Sequence, residues 1–300
     1  MTQQTKVALV FTLMCLIWGS TFVALKVGLQ ETPPLLGVAL RHLIAFVVLM
    51  AVIWLKGYNI PRDRLAIKQY ATVGLLNFAL SYSLTYSGTQ FIYSNVSSLL
   101  WASIPITTAL GAHFFLPRER LTWLKSGGIL VGFIGVLVIF AGYGFGESPN
   151  IALGMGLVMA AVLAGTWPNI YLKLHPAQAN PVVLSGVGAG MGGVATLVAS
   201  LLLEGQRSMA WTPQNIGILL YLAIVGTVIA WGAFYYLIQY MEVVKLSFVG
   251  FISPVIAMFM GMLVLGEYLP ATVYIGAALV LLGIFLSDAR RYLAILKPTR

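Results

Sequence analysis

Mostly apolar stretches, parted by short charged or turn-forming breaks, recur near 7–29, 34–56, 69–90, 93–116, 124–142, 151–172, 180–204, 214–240, 246–267 and 270–289. About 20 apolar residues at about 1.5 Å each cover the hydrocarbon core of a bilayer, so each stretch predicts a membrane-crossing helix. The breaks are too short for a separate soluble domain. The expected fold class is all-α integral membrane, with ten transmembrane helices.

One stretch, 93–116, is not apolar all round. Ser94, Ser98, Trp101, Pro105 and Thr108 are spaced by four, three, four and three, which puts them on one side of a helix. Pro105 has no N–H to donate and leaves the carbonyl one turn earlier unpaired. Lipid cannot satisfy that carbonyl, so this face is expected to meet protein or a wet cavity. The pattern returns at 246–267 with Ser247, Gly250 and Pro254.

Other echoes lie at the same distance. Residues 18–26 loosely match 165–173, 105–119 match 254–267, and 128–135 match 276–283, all 147 to 149 apart. A repeat of five spans is odd, so a second copy must enter the membrane upside down. The expected units are residues 1–145 and an inverted copy, 146–300.

Composition agrees with the pattern: 60% of residues are hydrophobic and 8% charged, where soluble chains carry about 25%. The net charge of +9 sits in short caps between apolar runs, so no basic surface for nucleic acid is expected. Cys15 stands alone, which excludes an intramolecular disulfide. Lys6 and the apolar run after it resemble a signal peptide, but the run is too long and has no convincing cleavage site, so a retained first helix is expected. With the N-terminus inside, 14 of the 17 Lys and Arg fall on the inner face, among them Lys6, Arg62, Arg118, Lys173, Lys245 and Arg290. That bias predicts N-in and C-in.

The segment at Trp18–Phe22, the proline-bearing fourth helix of each half, and the ends at Glu119 and Glu267 resemble the drug/metabolite transporter superfamily, EamA type. Within it the chain is most similar to the aromatic amino-acid exporters. The resemblance implies ten helices in two inverted repeats and a carrier in a bacterial inner membrane. Aromatic or large neutral amino acids and related small metabolites are the implied cargo. It implies no enzyme, cofactor or metal, and a monomer whose partners are a small-molecule substrate and lipid.

All eight acids, Glu31, Asp63, Glu119, Glu147, Glu204, Glu242, Glu267 and Asp288, fall at helix ends or loops. Ion-coupled carriers commonly bury such a group. Uniport is therefore expected, with a proton-coupled drug or metabolite exporter of broad specificity as the alternative. No HExxH, paired aspartates or activated serine appears in the spans, which argues against an intramembrane enzyme.

Polar and aromatic residues share helix faces elsewhere. Asn77, Ser81, Thr85 and Gly88 form one stripe of the third span, with Tyr82 and Tyr86 beside it; Thr227, Trp231, Tyr235 and Gln239 recur every four residues of the eighth; Trp167, Pro168 and Asn169 adjoin in the sixth. Rings and amides together suit a small amphipathic solute. The expected substrate contacts are Tyr82, Tyr86, Trp101, Trp167, Trp231 and Tyr235 for its apolar part. Asn77, Ser98, Asn169 and carbonyls near Pro105 and Pro254 would take its polar head.

Blander readings stand beside these. Trp54, Tyr58, Trp123, Trp211 and Tyr292 fit interface anchors, and Tyr235, Tyr236 and Tyr240 fit a belt as well as a cavity. Intramembrane Ser and Thr more often join helices than touch substrate. Arg41 either snorkels to headgroups or pairs with Glu31, or it meets a substrate carboxylate in an outer vestibule. Gly128, Gly132 and Gly135 predict close helix approach; Val280 interrupts the matching glycines, Gly276 and Gly283. The glycine run from 186 to 193 predicts a seventh span able to bend or slide.

Overall fold

The structure is a computed structural model that describes residues 2–92, 94–119, 121–141, 150–176, 179–205, 207–265 and 271–287. Glu147, Glu267, Asp288, Tyr292, Arg120, Arg290, Arg291, Lys297 and Arg300, and the side chains of Ser94 and Arg118, lie outside the described residues. Among the described residues every element is helical and no strand occurs.

The first group of elements is α1 (Gln3–Gly28), α2 (Pro34–Lys56), α3 (Arg64–Ala71), a π-helical segment (Thr72–Ser81), α4 (Tyr82–Thr89), α5 (Ser94–Trp101), α6 (Ile104–Phe115) and α7 (Trp123–Ala141). The second is α8 (Ile151–Leu174), α9 (Pro181–Leu203), α10 (Pro213–Ala223), a second π-helical segment (Ile224–Ile229), α11 (Ala230–Leu237), α12 (Val243–Ser247), α13 (Val249–Leu265) and α14 (Ala271–Ser287). Helices or helical runs that start at 3, 34, 64, 94 and 123 are followed by others at 151, 181, 213, 243 and 271. By length and composition α1, α2, α8, α9 and the run Pro213–Leu237 are apolar enough to cross a membrane, and four shorter apolar helices accompany them.

Local chemistry sets several boundaries. Asp63 caps α3 by accepting from the N–H of Leu65 and Ala66, and Asn180 and Thr212 cap α9 and α10 in the same way. Proline opens α2, α9 and α10, where a missing N–H costs nothing. Span 93–116 is two helices rather than one, broken at Ala102 and Ser103 just ahead of Pro105. In the span 246–267 the break falls at Phe248, and α13 runs on through Pro254.

Side-by-side packing is closest between α7 and α14 and between α2 and α9. Across the two groups, α1 meets α13 as α6 meets α8, and α4 meets α8 as α11 meets α1. A side chain built on Gly135 would lie 2.6 Å from Gly276 O and 2.7 Å from Val280 N. One on Gly283 would collide with the backbone at Gly132 N and Gly128 O. Close approach therefore includes the backbone of Val280, although a valine stands where the matching glycine would be. The glycine run lies within the continuous helix α9. Gly186, Gly190 and Gly193 admit Leu49, Phe46 and Leu43 of α2 on one face, while Gly188 and Gly192 admit Phe78 on another. Steps of two alternate nearly opposite faces of a helix, so the run serves two neighbours at once.

Bonds between distant residues gather at two ends. At one, Glu119 accepts from Val243 N–H at 2.7 Å and lies 3.8 Å from Lys173 Nζ. Lys173 also donates to Ile238 O and Met241 O, and Lys125 and Lys245 hold Glu242. At the other end, Glu204 accepts from the Leu35 and Leu36 N–H groups at the start of α2, and Glu31 accepts from Asn215. There Lys26 donates to Ile92 O at 3.4 Å. Trp54, Trp123 and Trp211 are exposed at helix ends, as anchors require.

Candidate functional site

A cavity of about 120 Å³ lies between the two groups of helices. At roughly 10–15 Å³ for each water-sized sphere, that is room for about ten waters, the scale of one amino-acid-sized solute. Nine helices and one π-helical segment supply its wall among the described residues.

The third helical run contributes Asn77, Tyr82, Thr85 and Tyr86. Asn77 and Tyr82 are five apart, which an α-helix would place well apart around its axis at 100° per residue. The π-helical winding of Thr72–Ser81 turns less per residue and keeps both on the cavity side. Ser81, by contrast, donates to Ala161 O at 2.8 Å and joins helices. From α5 come Ser98 and Trp101, whose indole N–H donates to Thr85 Oγ1 at 3.2 Å. Pro105 stays out of the wall. It is buried where α6 crosses α13, and Trp101 O, which it deprives of a helical N–H, faces Gly250. The freed carbonyl thus meets protein rather than lipid, as the sequence required. Pro254, with Gly250 and Ser253, lines the cavity from α13.

From α8, Asn169 lines the cavity and Trp167 does not. Trp167 is 38% exposed and stacks edge-on with Phe115 at 5.2 Å, because two residues along a helix turn a side chain to nearly the opposite face. From α11, Trp231 lines the cavity and donates to Tyr82 OH at 2.7 Å. Tyr235 sits behind that wall, neither in the cavity nor in a belt: it is 1% exposed, accepts from Asn77 Nδ2 at 3.3 Å and lies against the Trp231 ring. Eight of the eleven expected residues are therefore brought together, and Pro105, Trp167 and Tyr235 are not.

Two contributions lie outside the expected contacts: α1, which the sequence does not assign, and Arg41, which it leaves open between a structural role and an outer-vestibule contact. Trp18, Thr21, Phe22 and Leu25 of α1 form one side of the cavity. Their spacing of three, four and seven was a helical stripe open to reading. Trp18 packs on Trp231 at 5.0 Å and Phe234 at 5.6 Å. The other contribution is Arg41, which neither snorkels nor pairs with Glu31. It stands seven residues into α2, about 10 Å from its start. The guanidinium is 3% exposed, donating through Nε to Thr227 Oγ1 at 2.7 Å, Nη1 to Tyr86 OH at 3.0 Å and Nη2 to Gly226 O at 3.0 Å. Its carbon lies 4.8 Å from the Tyr82 ring centre. The second π-helical segment frees that carbonyl: the Ala230 N–H goes to Val225 O and Thr227 O and skips Gly226 O.

Outside the bundle interior, the Glu119 carboxyl is held above the usual carboxylate range by burial, against the opposing charge of Lys173. Burial also acts to raise Glu242, but its hydrogen bond and charge contact with Lys125, together with Lys245, outweigh it and the net direction is down.

The EamA-like transporter family profile matches residues 5–141 and again 151–287. The "Uncharacterized transporter YoaV" of Bacillus subtilis is 31% identical over 284 residues, covering 94% of this chain and 96% of that one. The "Probable amino-acid metabolite efflux pump" of Escherichia coli K12 is 29% identical over 294 residues, 92% of each. A crystal structure 20% identical superposes with a TM-score of 0.80, covering 96% of this chain and 99% of its own; at that identity the likeness is one of fold.

Proposed function

Because the chain belongs to the EamA-like transporter family of the drug/metabolite transporter superfamily, we propose that it exports small ring-bearing metabolites, aromatic or large neutral amino acids foremost, through the central cavity. The observation that carries this reading is the wall itself. Trp18, Tyr82, Trp101 and Trp231 offer ring faces, and among them Asn77, Ser98 and Asn169 offer polar tips, a pairing suited to an amphipathic solute. That a relative carries the name of an amino-acid metabolite efflux pump supports the same cargo.

The proposed frame is two inverted five-helix halves, 1–145 and 146–300, in a bacterial inner membrane with both termini inside, acting as a monomer. Support comes from the helix starts, which recur after 147 to 149 residues, and from the family profile, which fits twice. The exchanged pairs of contacts and the π-helical turn in the third run of each half support it as well. So do two alike latches at opposite ends: Lys26 on Ile92 O, and Lys173 on Met241 O. In alternating access one latch opens while the other holds, and the solute changes side without an open pore.

Uniport fits a cavity that, among the described residues, has no carboxylate in its wall. Counterflow of the twenty amino acids into proteoliposomes tests the cargo: the reading expects the aromatic set to exchange fastest and fails if none exchanges. Movement of one proton per substrate in the same vesicles would replace uniport by proton coupling.

A further inference from the structure

Arg41 is the one formally charged residue in the cavity wall among the described residues. Its three hydrogen bonds go to neutral oxygens, and the Tyr82 ring adds no negative charge to set against it. No carboxylate among the described residues comes within ion-pair distance. A guanidinium has five N–H donors, so two remain for something other than these partners. A buried cation without a counter-charge is costly, and in a membrane interior it marks a place where an anion binds. The rigid fork of arginine suits a carboxylate, which can take two parallel hydrogen bonds.

The other polar atoms in the wall are neutral. Asn169 Oδ1, Ser253 Oγ and Trp18 Nε1 are buried and have no protein partner, although each residue lines the cavity. An amide oxygen and a hydroxyl can accept a hydrogen bond from an ammonium, but neither supplies the fixed negative charge that selects cations over neutral or acidic molecules.

We propose that the cavity recognises its substrate by a carboxylate seated on Arg41, so that the transported class is amphipathic monocarboxylates with an aromatic or large apolar body. The ring lies among the Trp18, Trp101 and Trp231 rings. An amino group is accommodated at Asn169 and Ser253 and is not required. Amino acids then belong to the class through their acid end, together with the corresponding acids that lack the amine, while amines and amino-acid amides fall outside it. This rests on the cavity being the transport site.

The ligand series tests this on the unaltered protein in lipid nanodiscs, by competition binding and thermal shift. Four probes share one ring: L-phenylalanine, 3-phenylpropionate, L-phenylalaninamide and 2-phenylethylamine. The first two are expected to bind in the same range and the last two about ten- to a hundred-fold more weakly, the worth of a charge-assisted hydrogen bond. Arg41→Lys, which keeps the charge and loses the fork, is expected to weaken both acids several-fold while thermal unfolding without ligand reports its folding. Amide or amine binding as tight as the acids, or no binding by either acid, overturns the proposal. The broader export reading fails separately: acids that bind in this order, with no amino acid exchanging in vesicles, leave the carboxylate rule standing and remove amino-acid export.

Discussion

Gly135→Ala places one methyl group into the seam between α7 and α14. The new Cβ would meet Gly276 O at 2.6 Å, Val280 N at 2.7 Å and Leu279 Cβ at 2.8 Å, against an ordinary contact of at least 3.4 Å. Two of those atoms are backbone and cannot rotate away, so the helices must part by about 0.8 Å, the difference between 2.6 and 3.4 Å. Overpacking of this kind costs about 1–3 kcal/mol. Replacing a helical glycine by alanine returns about 1 kcal/mol. Gly127→Ala, on the same helix with nothing within 4 Å, receives that gain without the clash and is the control. The difference between the two variants isolates the seam: about 1–3 kcal/mol, or roughly 2–12 °C at about 2–4 °C per kcal/mol for a chain of this size. Thermal unfolding of the two purified proteins in the same detergent reads it directly. A Gly135→Ala protein as stable as Gly127→Ala would refute the close approach on which this packing depends.

Three further outcomes follow from the same geometry. Trp101→Ala is expected to weaken ring-bearing substrates about three- to ten-fold more than small aliphatic ones in competition assays, from a ring contact worth about 0.5–1.5 kcal/mol; equal losses would mean Trp101 does not stack on cargo. Tyr235→Phe removes the hydroxyl that accepts from buried Asn77 and is expected to lower stability by about 1–3 kcal/mol in thermal or denaturant unfolding; an unchanged midpoint would mean that Asn77 finds another acceptor. The two acids at the Lys173 end predict opposite pH behaviour. Glu242, held low, stabilises above the unfolded carboxylate range, and that contribution is lost as pH falls through its lowered value. Glu119, held high, favours the fold when protonated, and that contribution is lost as pH rises through its raised value. Glu242→Gln should therefore be less stable than the parent at pH 7 and converge with it in acid, whereas Glu119→Gln should match or exceed the parent at pH 7. The reverse order in unfolding midpoints from pH 3.5 to 8 would contradict both assignments.

The helical spans were legible because apolar runs of bilayer length have few alternative uses, and the fourth span's polar stripe correctly placed Ser98 and Trp101 on a cavity. Trp167 misled because adjacency in sequence was read as adjacency in space; two residues on, Asn169 faces the cavity while Trp167 faces outward. Tyr235 was ambiguous because a tyrosine near a span end fits a belt, a cavity or a buried hydrogen bond equally well, and the third is found. Arg41 could not be placed from sequence. Its partners, Thr227 and Gly226, lie some 185 residues away, and Gly226 O accepts only because the winding there departs from α. No residue pattern announces that change in winding.

The two stretches of wider winding hold more residues than an α-helix would need for the same path. Such a surplus lets a helix exchange winding for length with its ends still anchored. Tightening the first stretch would turn Tyr82 and Tyr86 by a fraction of a revolution relative to the cavity, and tightening the second would turn Trp231 and carry off the Gly226 carbonyl that Arg41 grips. Each of the two runs thus owns a screw that re-aims its own rings, and neither helix has to leave its neighbours for the grip to loosen.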